Sequence, residues 1–475
     1  MQNIEENKLS KYKRLVGDTL IFAIGNLGSK VILFFLVPLY TNYLSQEEYG
    51  ISDLVFTVAQ LIVPFVSLVI FDAVLRFGLA KEANKENVLK SSFVILTIGS
   101  IITVLITPLF SFYKSLAEWR WYLCLYVILT MIGNVELNYL KVISKNKAYA
   151  VISILHAAIL ALSNVVLLTI CHWGIKGYLL ATILGSATTA VLGLYAGEVV
   201  ITLRKGRLDK TLLKEMVVFS APLILNNVSW WVIQSSDKIM IEAMVGVAAL
   251  GLYTAATKIP SLINVIISIF SQAWGISSVR EFESSNDKNF YSEVFVSYSV
   301  IGFGAAVCIN TIVKPFMAVY VSNEFAESWK FVPLLLVSAA FSAVASYFGF
   351  LYGALKKSTN NMKSTLFAAV INIIINYLCI LQFGVWGAII GTVIAYIALA
   401  FYRMFDVLKF IRFDIKWKCY LANCIIVLCQ AILVSLDFYI YVVSVLAIFL
   451  FCLVNNRVII KIIKTMLRLI RRINK

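Results

Sequence analysis

Ionisable side chains stand inside long apolar stretches of this sequence, where a charged group is expensive. Lys30 lies in the middle of one such stretch, and Asp18 precedes it by about three helical turns on roughly the same face. On insertion scales, a charge at the centre of a membrane-spanning helix costs roughly 2.5–3.5 kcal/mol. Side chains that carry this cost face a cavity or a partner, so we interpret Lys30 as a cavity residue.

A wet, largely cationic cavity is the site that these residues predict. Ammonium and guanidinium groups bind phosphate oxygens well, so Lys30, Arg76 and Lys258 are candidates for holding an anionic group. Five further side chains are candidates for lining the same path: Asn26, Asn226, Asn227, Gln234 and Asp237. Structural pairing, interhelical hydrogen bonds and snorkelling at helix ends are the alternatives.

Other titratable residues in the apolar stretches are candidates for coupling to an ion or a proton. They are Asp18, Asp53, Glu136 and His156. For Glu136 and His156, a buried structural hydrogen bond is the alternative interpretation. Asp72 and Arg76 are spaced i,i+4, so they could pair on one helix face.

Sequence motifs of common enzymes are missing. There is no GxxxxGK[ST] loop for ATP, and no HExxH or GxSxG motif. The eight cysteines are scattered singly, which favours buried thiols over disulfides or a metal site. We therefore predict no catalytic residue, no metal and no cofactor.

The elements that position these residues are predicted to be transmembrane helices. Hydrophobic residues make up 61% and charged residues 14%, with a mean hydropathy of +0.88. Soluble domains are only about 45–50% apolar and about 25% charged. A crossing helix needs about 20 apolar residues. Fourteen stretches are long enough: 15–41, 50–71, 89–112, 119–140, 148–171, 177–201, 216–240, 247–276, 292–318, 328–353, 362–382, 385–405, 419–435 and 437–454.

The distribution of basic residues predicts the orientation in the membrane. If the N-terminus is cytoplasmic, 33 of the 41 Lys and Arg residues fall on the cytoplasmic side and 5 in outside loops. Both termini are therefore expected in the cytoplasm. The same rule explains the net charge of +16, so we expect no nucleic-acid partner. The tail RVIIKIIKTMLRLIRRINK reads as a basic amphipathic helix on anionic lipid.

The chain also resembles itself. The segment Leu44–Ile62 aligns without gaps on Val245–Ile263, and Gly174–Thr182 matches Gly384–Thr392. Each match falls at the same place in its half of the chain. The repeat predicts two pseudo-symmetric six-helix lobes, both entering the membrane in the same direction, plus two C-terminal helices.

Domain boundaries follow from the repeat and from a basic break at Arg204–Lys214. We predict five segments: an N-terminal lobe at 1–203, a cytoplasmic linker at 204–215, a C-terminal lobe at 216–410, spans 13 and 14 at 411–456, and the basic tail at 457–475.

Several motifs resemble those of the Wzx-type polysaccharide exporters of the multidrug/oligosaccharidyl-lipid/polysaccharide (MOP) superfamily. The segment SSDKIMIEAMVGVAALGLYTAATKI (Ser235–Ile259) carries the family pattern in Asp237, Lys238 and Gly251-Leu252-Tyr253. Three further segments are similar to family signatures: FSAPLILNN (Phe219–Asn227), PLYTNYLSQEEYG (Pro38–Gly50) and IFDAVLRFG (Ile70–Gly78). The resemblance extends from about residue 15 to 455.

This resemblance implies an all-α, MATE-like membrane transporter. Its substrate would be an undecaprenyl-diphosphate-linked oligosaccharide, flipped from the cytoplasmic to the outer leaflet of a bacterial plasma membrane. The sugar would feed capsule, O-antigen, exopolysaccharide or teichoic acid assembly. Membrane lipids, a polysaccharide polymerase and chain-length proteins are the partners it implies.

Other functions on the same fold stay open at this point. A multidrug-type antiporter would be expected to have carboxylates dominating its cavity, whereas intramembrane lysines are prominent here. A lipid II flippase is a second alternative. A membrane-embedded polymerase or transferase would be expected to carry a large outside loop, and the longest predicted here is only about ten residues.

Overall fold

The computed structural model describes residues 31–80, 83–265, 267, 274, 278 and 288–473. Within these residues every regular element is helical. In chain order the helices are α1 (Val31–Tyr43), α2 (Gln46–Val66), α3 (Ile70–Gly78), α4 (Lys85–Ile106), α5 (Lys114–Ala117), α6 (Arg120–Val142), α7 (Asn146–Val165), α8 (Gly174–Ala196), α9 (Val199–Lys205), α10 (Lys210–Met244), α11 (Val247–Thr257), α12 (Lys288–Tyr320), α13 (Val332–Ala354), α14 (Ser358–Phe383), α15 (Val385–Leu408), α16 (Trp417–Ser435) and α17 (Ile440–Ile473).

Twelve helical segments in the described part of the chain are long and apolar enough to cross a membrane. Two shorter apolar helices, α1 and α11, lie where the first and eighth spans were predicted. Together they account for the fourteen apolar stretches of the sequence. The prediction of an all-α, multi-pass membrane protein is confirmed.

The second predicted span, at 50–71, ends earlier than the sequence indicated. Helix α2 stops at Val66, and Leu68 and Val69 both adopt left-handed backbone conformations. The hydroxyl of Ser67 stabilises this turn, because it donates to the Val63 carbonyl (2.7 Å) and accepts from the Val69 amide (3.2 Å). The chain then restarts as the short helix α3.

Local sequence explains where the repeated helices begin. Ser45 and Glu48 form a capping box at the start of α2, each side chain accepting from the other's backbone amide. In the second copy of the repeat, α11 begins after Gly246, whose φ is +126°. Helix α8 begins at Gly174 (φ +52°), and α15 begins directly after Gly384 (φ +56°), so a glycine with positive φ stands at the start of each. The matched segments therefore start helices at matched positions.

The chain divides into two compact units, Met1–Trp231 and Val232–Lys475. Each unit buries its own aromatic core. In the first unit Tyr40, Tyr49 and Tyr178 pack together, and in the second Phe295, Tyr347 and Phe348 do so. The five segments predicted from the sequence stay a prediction.

Loops predicted on one side of the membrane contact one another. In the first unit, Lys85 and Lys90 donate to the carbonyls of Val142 (3.2 Å) and Leu203 (3.1 Å) at the ends of two other helices. These positions stabilise the two lysine ammonium groups, because helix C-termini carry partial negative charge. Beside them, Lys145 pairs with Glu198 at 2.9 Å and lowers the pKa of that exposed carboxyl.

In the second unit, two ion pairs also join segments predicted to lie on the same side of the membrane. Lys461 pairs with Glu293 (2.8 Å), joining two segments predicted to be cytoplasmic. Lys314 pairs with Asp437 (2.7 Å), joining two segments predicted to be outside. These pairs agree with the alternation of spans that the basic residues predict.

The basic tail is helical, as predicted. It continues the last span without a break, because α17 runs from Ile440 to Ile473 as one helix. Whether this segment lies on lipid stays a prediction.

Candidate functional site

A buried carboxylate organises the centre of the second unit. Asp237 lies on α10 and is 1% exposed. Its Oδ2 accepts from the Tyr253 hydroxyl of α11 and from the Thr392 hydroxyl of α15 (3.3 Å). Its Oδ1 accepts from the backbone amide of Lys238 (2.9 Å). Three helices therefore meet at one carboxyl group.

A pair of amides on α14 lies beside this carboxylate. The Oδ1 of Asn372 accepts from Ser236 (3.0 Å), the residue before Asp237, and from the Asn376 amide (3.1 Å). Both asparagines are completely buried. The Asn372 Nδ2 and the Asn376 Oδ1 have no hydrogen-bond partner among the described residues. Burying an amide without a hydrogen bond costs free energy, so we expect a ligand or a water to bind these two atoms.

Close helix packing joins the amides to the carboxylate. Gly391 precedes Thr392 on α15, and a Cβ added to it would lie 2.0 Å from the Asn376 Oδ1. The contacts therefore form a closed ring. They run from Asp237 to Thr392 and its neighbour Gly391, then to Asn376 and Asn372, and return through Ser236, the residue before Asp237. We call these six residues the Asp237 ring.

The Asp237 ring supplies one carboxylate and several neutral oxygens. Oxygen ligands of this kind suit hard cations or a proton rather than a transition metal. Within the described residues, no group of three or more His, Cys, Asp or Glu could hold a metal ion. The arrangement is suited to a single, reversibly bound monovalent cation.

The carboxylates of the first unit are not gathered in this way. Asp53 is buried on α2, and Tyr178 of α8 lies in its electrostatic field. Glu136 on α6 is 1% exposed, and neither of its oxygens has a hydrogen-bond partner in the described part of the chain. It lies against Gly193, where an added Cβ would be 2.4 Å from its Oε2. His156 on α7 is half-buried, with its Nδ1 3.0 Å from the Thr189 hydroxyl.

The cationic candidates have varied positions. Lys30 and Asn26, together with Asp18, lie outside the described residues. Arg76 is exposed near the end of α3. No ion pair joins it to Asp72 in the structure, and Asp72 lies instead in the field of Lys141. Lys258 is half-buried at the C-terminal end of α11.

The remaining polar candidates lie along α10. Asn226 and Asn227 are half-buried, and the Asn227 amide donates to the Leu223 carbonyl of its own helix (2.9 Å). Gln234 is exposed. Asp237, by contrast, accepts hydrogen bonds from side chains of two other helices.

Arg403 is a buried cation near the end of the predicted span 385–405, and the sequence did not mark it as a site residue. It lies inside α15 and is 1% exposed. Its guanidinium donates to the Ser364 hydroxyl (3.0 Å), the Thr365 hydroxyl (2.8 Å) and the Ala345 carbonyl (2.9 Å). The side chain thus ties α13 and α14 to α15.

Two features of the sequence could have indicated the buried amides of α14 and their close contact with α15. The pattern NIIIN places Asn372 and Asn376 four residues apart, on one face of an otherwise apolar helix. Gly387 and Gly391 mark the face along which α15 approaches α14. No local signal pairs either set with Asp237, because the partners are far apart in the chain.

Comparison with known proteins agrees with this fold. The polysaccharide biosynthesis protein family matches residues 15–275, more than half of the chain. No curated protein sequence is significantly similar to it.

Three solved structures show the same architecture. The lipid II flippase MurJ, in an inward closed conformation, superposes with a TM-score of 0.70 at 14% identity, covering 94% of this chain and 100% of that one. An inward-facing multidrug resistance MATE family transporter of the MOP superfamily gives 0.64 at 15% identity, covering 81% and 94%. A MOP superfamily transporter from Pyrococcus furiosus, described as having a binding pocket of reverse polarity, gives 0.57 at 15% identity, covering 82% and 95%.

These superpositions establish a shared fold, and the family match extends over most of the first unit. The resemblance found in the sequence motifs is confirmed. The chain is a multi-pass membrane protein that belongs to the polysaccharide biosynthesis protein family.

Proposed function

We propose that this protein flips an undecaprenyl-diphosphate-linked oligosaccharide from the cytoplasmic to the outer leaflet of a bacterial plasma membrane. The match to the polysaccharide biosynthesis protein family carries the proposal. The MurJ structure supports a lipid-linked substrate, because that flippase shares the fold over its whole length. The flipped sugar would supply capsule, O-antigen, exopolysaccharide or teichoic acid assembly, with a polymerase and chain-length proteins acting next.

Transport would proceed by alternating access between the two lobes, as is typical of transporters built from parallel repeats. Lys30, Arg76 and Lys258 would attract the diphosphate, since cationic side chains bind phosphate oxygens strongly. Asn26, Asn226, Asn227 and Gln234 would line the path of the sugars. This assignment rests on residue type and on depth within the predicted spans.

The Asp237 ring is our candidate for coupling transport to a cation. Its carboxylate is buried within the second unit and holds three helices through hydrogen bonds. A cation entering the ring would replace the hydroxyl donors on Asp237 and use the unpaired Asn376 oxygen. Binding would then change how α10, α11 and α15 are held together. Asp18, Asp53, Glu136 and His156 remain candidates for proton coupling.

A multidrug-type antiporter is the second candidate, because MATE transporters share the fold with a TM-score of 0.64. Those structures cover 81% of the chain, whereas MurJ covers 94% of it. Intramembrane lysines also favour an anionic substrate over a cationic drug.

Deletion of the gene tests the proposal. We expect complete lipid-linked repeat units to accumulate on the cytoplasmic leaflet while surface polymer is lost. Complementation with the unaltered gene should restore export, Lys30→Ala should not, and Lys30→Arg should restore it in part. Normal surface polymer in the deletion strain, with raised sensitivity to small cationic drugs, would instead identify a multidrug antiporter.

A further inference from the structure

A polar cavity of about 230 Å³ lies within the first unit, apart from the Asp237 ring. Helices α6 and α7 form its walls, and α8 forms its floor. Six polar side chains face it: Thr130, Asn134, Ser153, His156, Ser186 and Thr189. So many hydrogen-bonding groups on three membrane spans are costly unless they meet a polar occupant.

Two glycines explain why a cavity forms here. Gly133 of α6 lets α8 approach closely, since an added Cβ would lie 3.0 Å from the Thr189 side chain. Gly185 of α8 does the same towards α7, where an added Cβ would lie 3.1 Å from Leu160. Both α6 and α7 therefore pack tightly on α8. The space between α6 and α7 above that floor stays open.

The lining carries no formal charge in the part of the chain that the structure describes. Lys141 lies nearby, but its ammonium sits 4.7 Å from the Tyr149 ring centroid and donates to Asn138. A neutral lining is a poor site for a diphosphate or for a cationic drug, each of which needs an opposite charge. Hydroxyl, amide and imidazole groups instead match an occupant that both donates and accepts hydrogen bonds.

The aromatic residues and Asn134 further limit the kinds of molecule that could bind in the cavity. Tyr126 and Tyr149 stand among the lining residues and offer ring faces beside the polar groups. The Asn134 side chain makes no hydrogen bond to any described residue, although Asn134 is half-buried in the middle of α6. A cavity of this volume is smaller than the roughly 300–1,000 Å³ of drug-sized pockets. It suits one ring of a polyhydroxylated molecule rather than a whole oligosaccharide.

We propose that this cavity is a sugar subsite, in which one ring of the lipid-linked oligosaccharide binds within the first unit. The proposal rests on the proposed flippase function and adds a place where the glycan itself is recognised. Asn134 supplies a free amide, and the hydroxyls of Ser153 and Ser186 approach from the opposite wall and the floor. His156 is oriented by Thr189 and completes the polar surface.

Binding measurements on the full-length protein in nanodiscs test the subsite. The two probes are undecaprenyl diphosphate and the lipid-linked oligosaccharide extracted from the source cells. Asn134→Ala removes the amide, and Ser153→Leu fills the cavity from α7. We expect each variant to weaken binding of the glycosylated lipid about tenfold, as loss of one or two hydrogen bonds would. Affinity for undecaprenyl diphosphate should stay within about twofold of the unaltered protein's.

Ser163→Leu provides the matched control, because Ser163 lies on the same helix and outside the cavity. It should leave both affinities unchanged. Equal weakening of both lipids by Asn134→Ala and Ser153→Leu would overturn the subsite, as would unchanged binding of the glycosylated lipid. Unaltered protein that binds neither lipid would instead overturn the proposed function. Unchanged affinities with an altered pH dependence of flipping would assign the cavity to a water path.

Discussion

At the scale of single residues, Asp237 and Arg403 are two buried ionisable side chains in the described part of the second unit, and they are held differently. Asp237 accepts from two hydroxyls and a backbone amide on three helices, beside amide atoms that lack partners. Arg403 donates to two hydroxyls and a carbonyl that come from two other helices. The first arrangement suits a reversible ligand, and the second suits permanent structure.

Asp237→Asn should leave the protein folded, because asparagine has nearly the same shape and keeps an acceptor for Tyr253 or Thr392. Without the negative charge a cation is no longer held, so we expect flipping driven by a cation gradient to fall by at least about tenfold. Reconstituted vesicles with and without sodium or proton gradients measure this. Asp437→Asn, at an exposed carboxylate paired with Lys314, is the control. Gradient dependence equal to that of the unaltered protein would assign coupling elsewhere.

Arg403→Lys should destabilise the fold. Lysine keeps the charge but lacks the planar fork that reaches Ser364, Thr365 and Ala345 together, leaving buried acceptors unpaired. We expect a loss of about 1–3 kcal/mol in the free energy of unfolding. Thermal unfolding in detergent provides the measurement, with the exposed Arg412→Lys as the control. A transition at the unaltered temperature would show that the network is dispensable.

At the scale of elements, the two copies of the repeat share a local design. Gly174 and Gly384 turn the chain with positive φ, and α8 and α15 then pack back on the preceding helix. In the second copy the approach is very close, since a Cβ on Gly387 would lie 2.2 Å from the Cys379 backbone. The two copies differ in the hydrogen-bond acceptor of the matched threonine. Thr392 donates to Asp237, whereas the matched Thr182 donates to the Tyr178 carbonyl of its own helix.

Gly384→Ala tests this design. Gly384 has φ +56° and ψ −131°, a region that other residues rarely adopt, so alanine should cost about 1–3 kcal/mol in the free energy of unfolding. Gly353→Ala is the control, because a Cβ there meets nothing within 4 Å and alanine favours a helix. The unfolding temperatures of the two purified variants give the comparison. Equal temperatures would mean that the turn adapts without cost.

At the scale of the whole molecule, the orientation in the membrane is the property that transport direction depends on. Within each unit, ion pairs join segments predicted to lie on the same side of the membrane. The predicted spans divide the loops into two sets, and the positive-inside rule predicts which set faces the cytoplasm. Cys171 is exposed in a loop of the set predicted to be outside, and Lys356 lies in a loop of the other set.

Labelling of intact cells with a membrane-impermeant maleimide tests the orientation. A variant that keeps Cys171 as its only cysteine should be labelled at once. A cysteine-free variant carrying Lys356→Cys should be labelled only after the membrane is permeabilised. The reverse pattern would invert the topology and with it the proposed direction of flipping.

The sequence by itself determined the class of protein, the position of the spans and the family. Each of these depends on sums over neighbouring residues: hydropathy along a window, basic residues in a loop, or a motif such as Ser235–Ile259. Local similarity also predicted the repeat, because Leu44–Ile62 aligns on Val245–Ile263 and Gly174–Thr182 on Gly384–Thr392.

Only the tertiary structure decided which polar groups meet. Thr392 reaches Asp237 across 155 residues of sequence, and Ser236 reaches Asn372 across 136. No local signal marked Arg403 as a buried structural cation, yet packing of α13 and α14 against α15 encloses it. The polar cavity of the first unit likewise arises from how α6 and α7 each pack on α8. In lipid, hydropathy selects which segments enter the membrane, but small residues and hydrogen bonds set their mutual packing, and those act between distant parts of the chain.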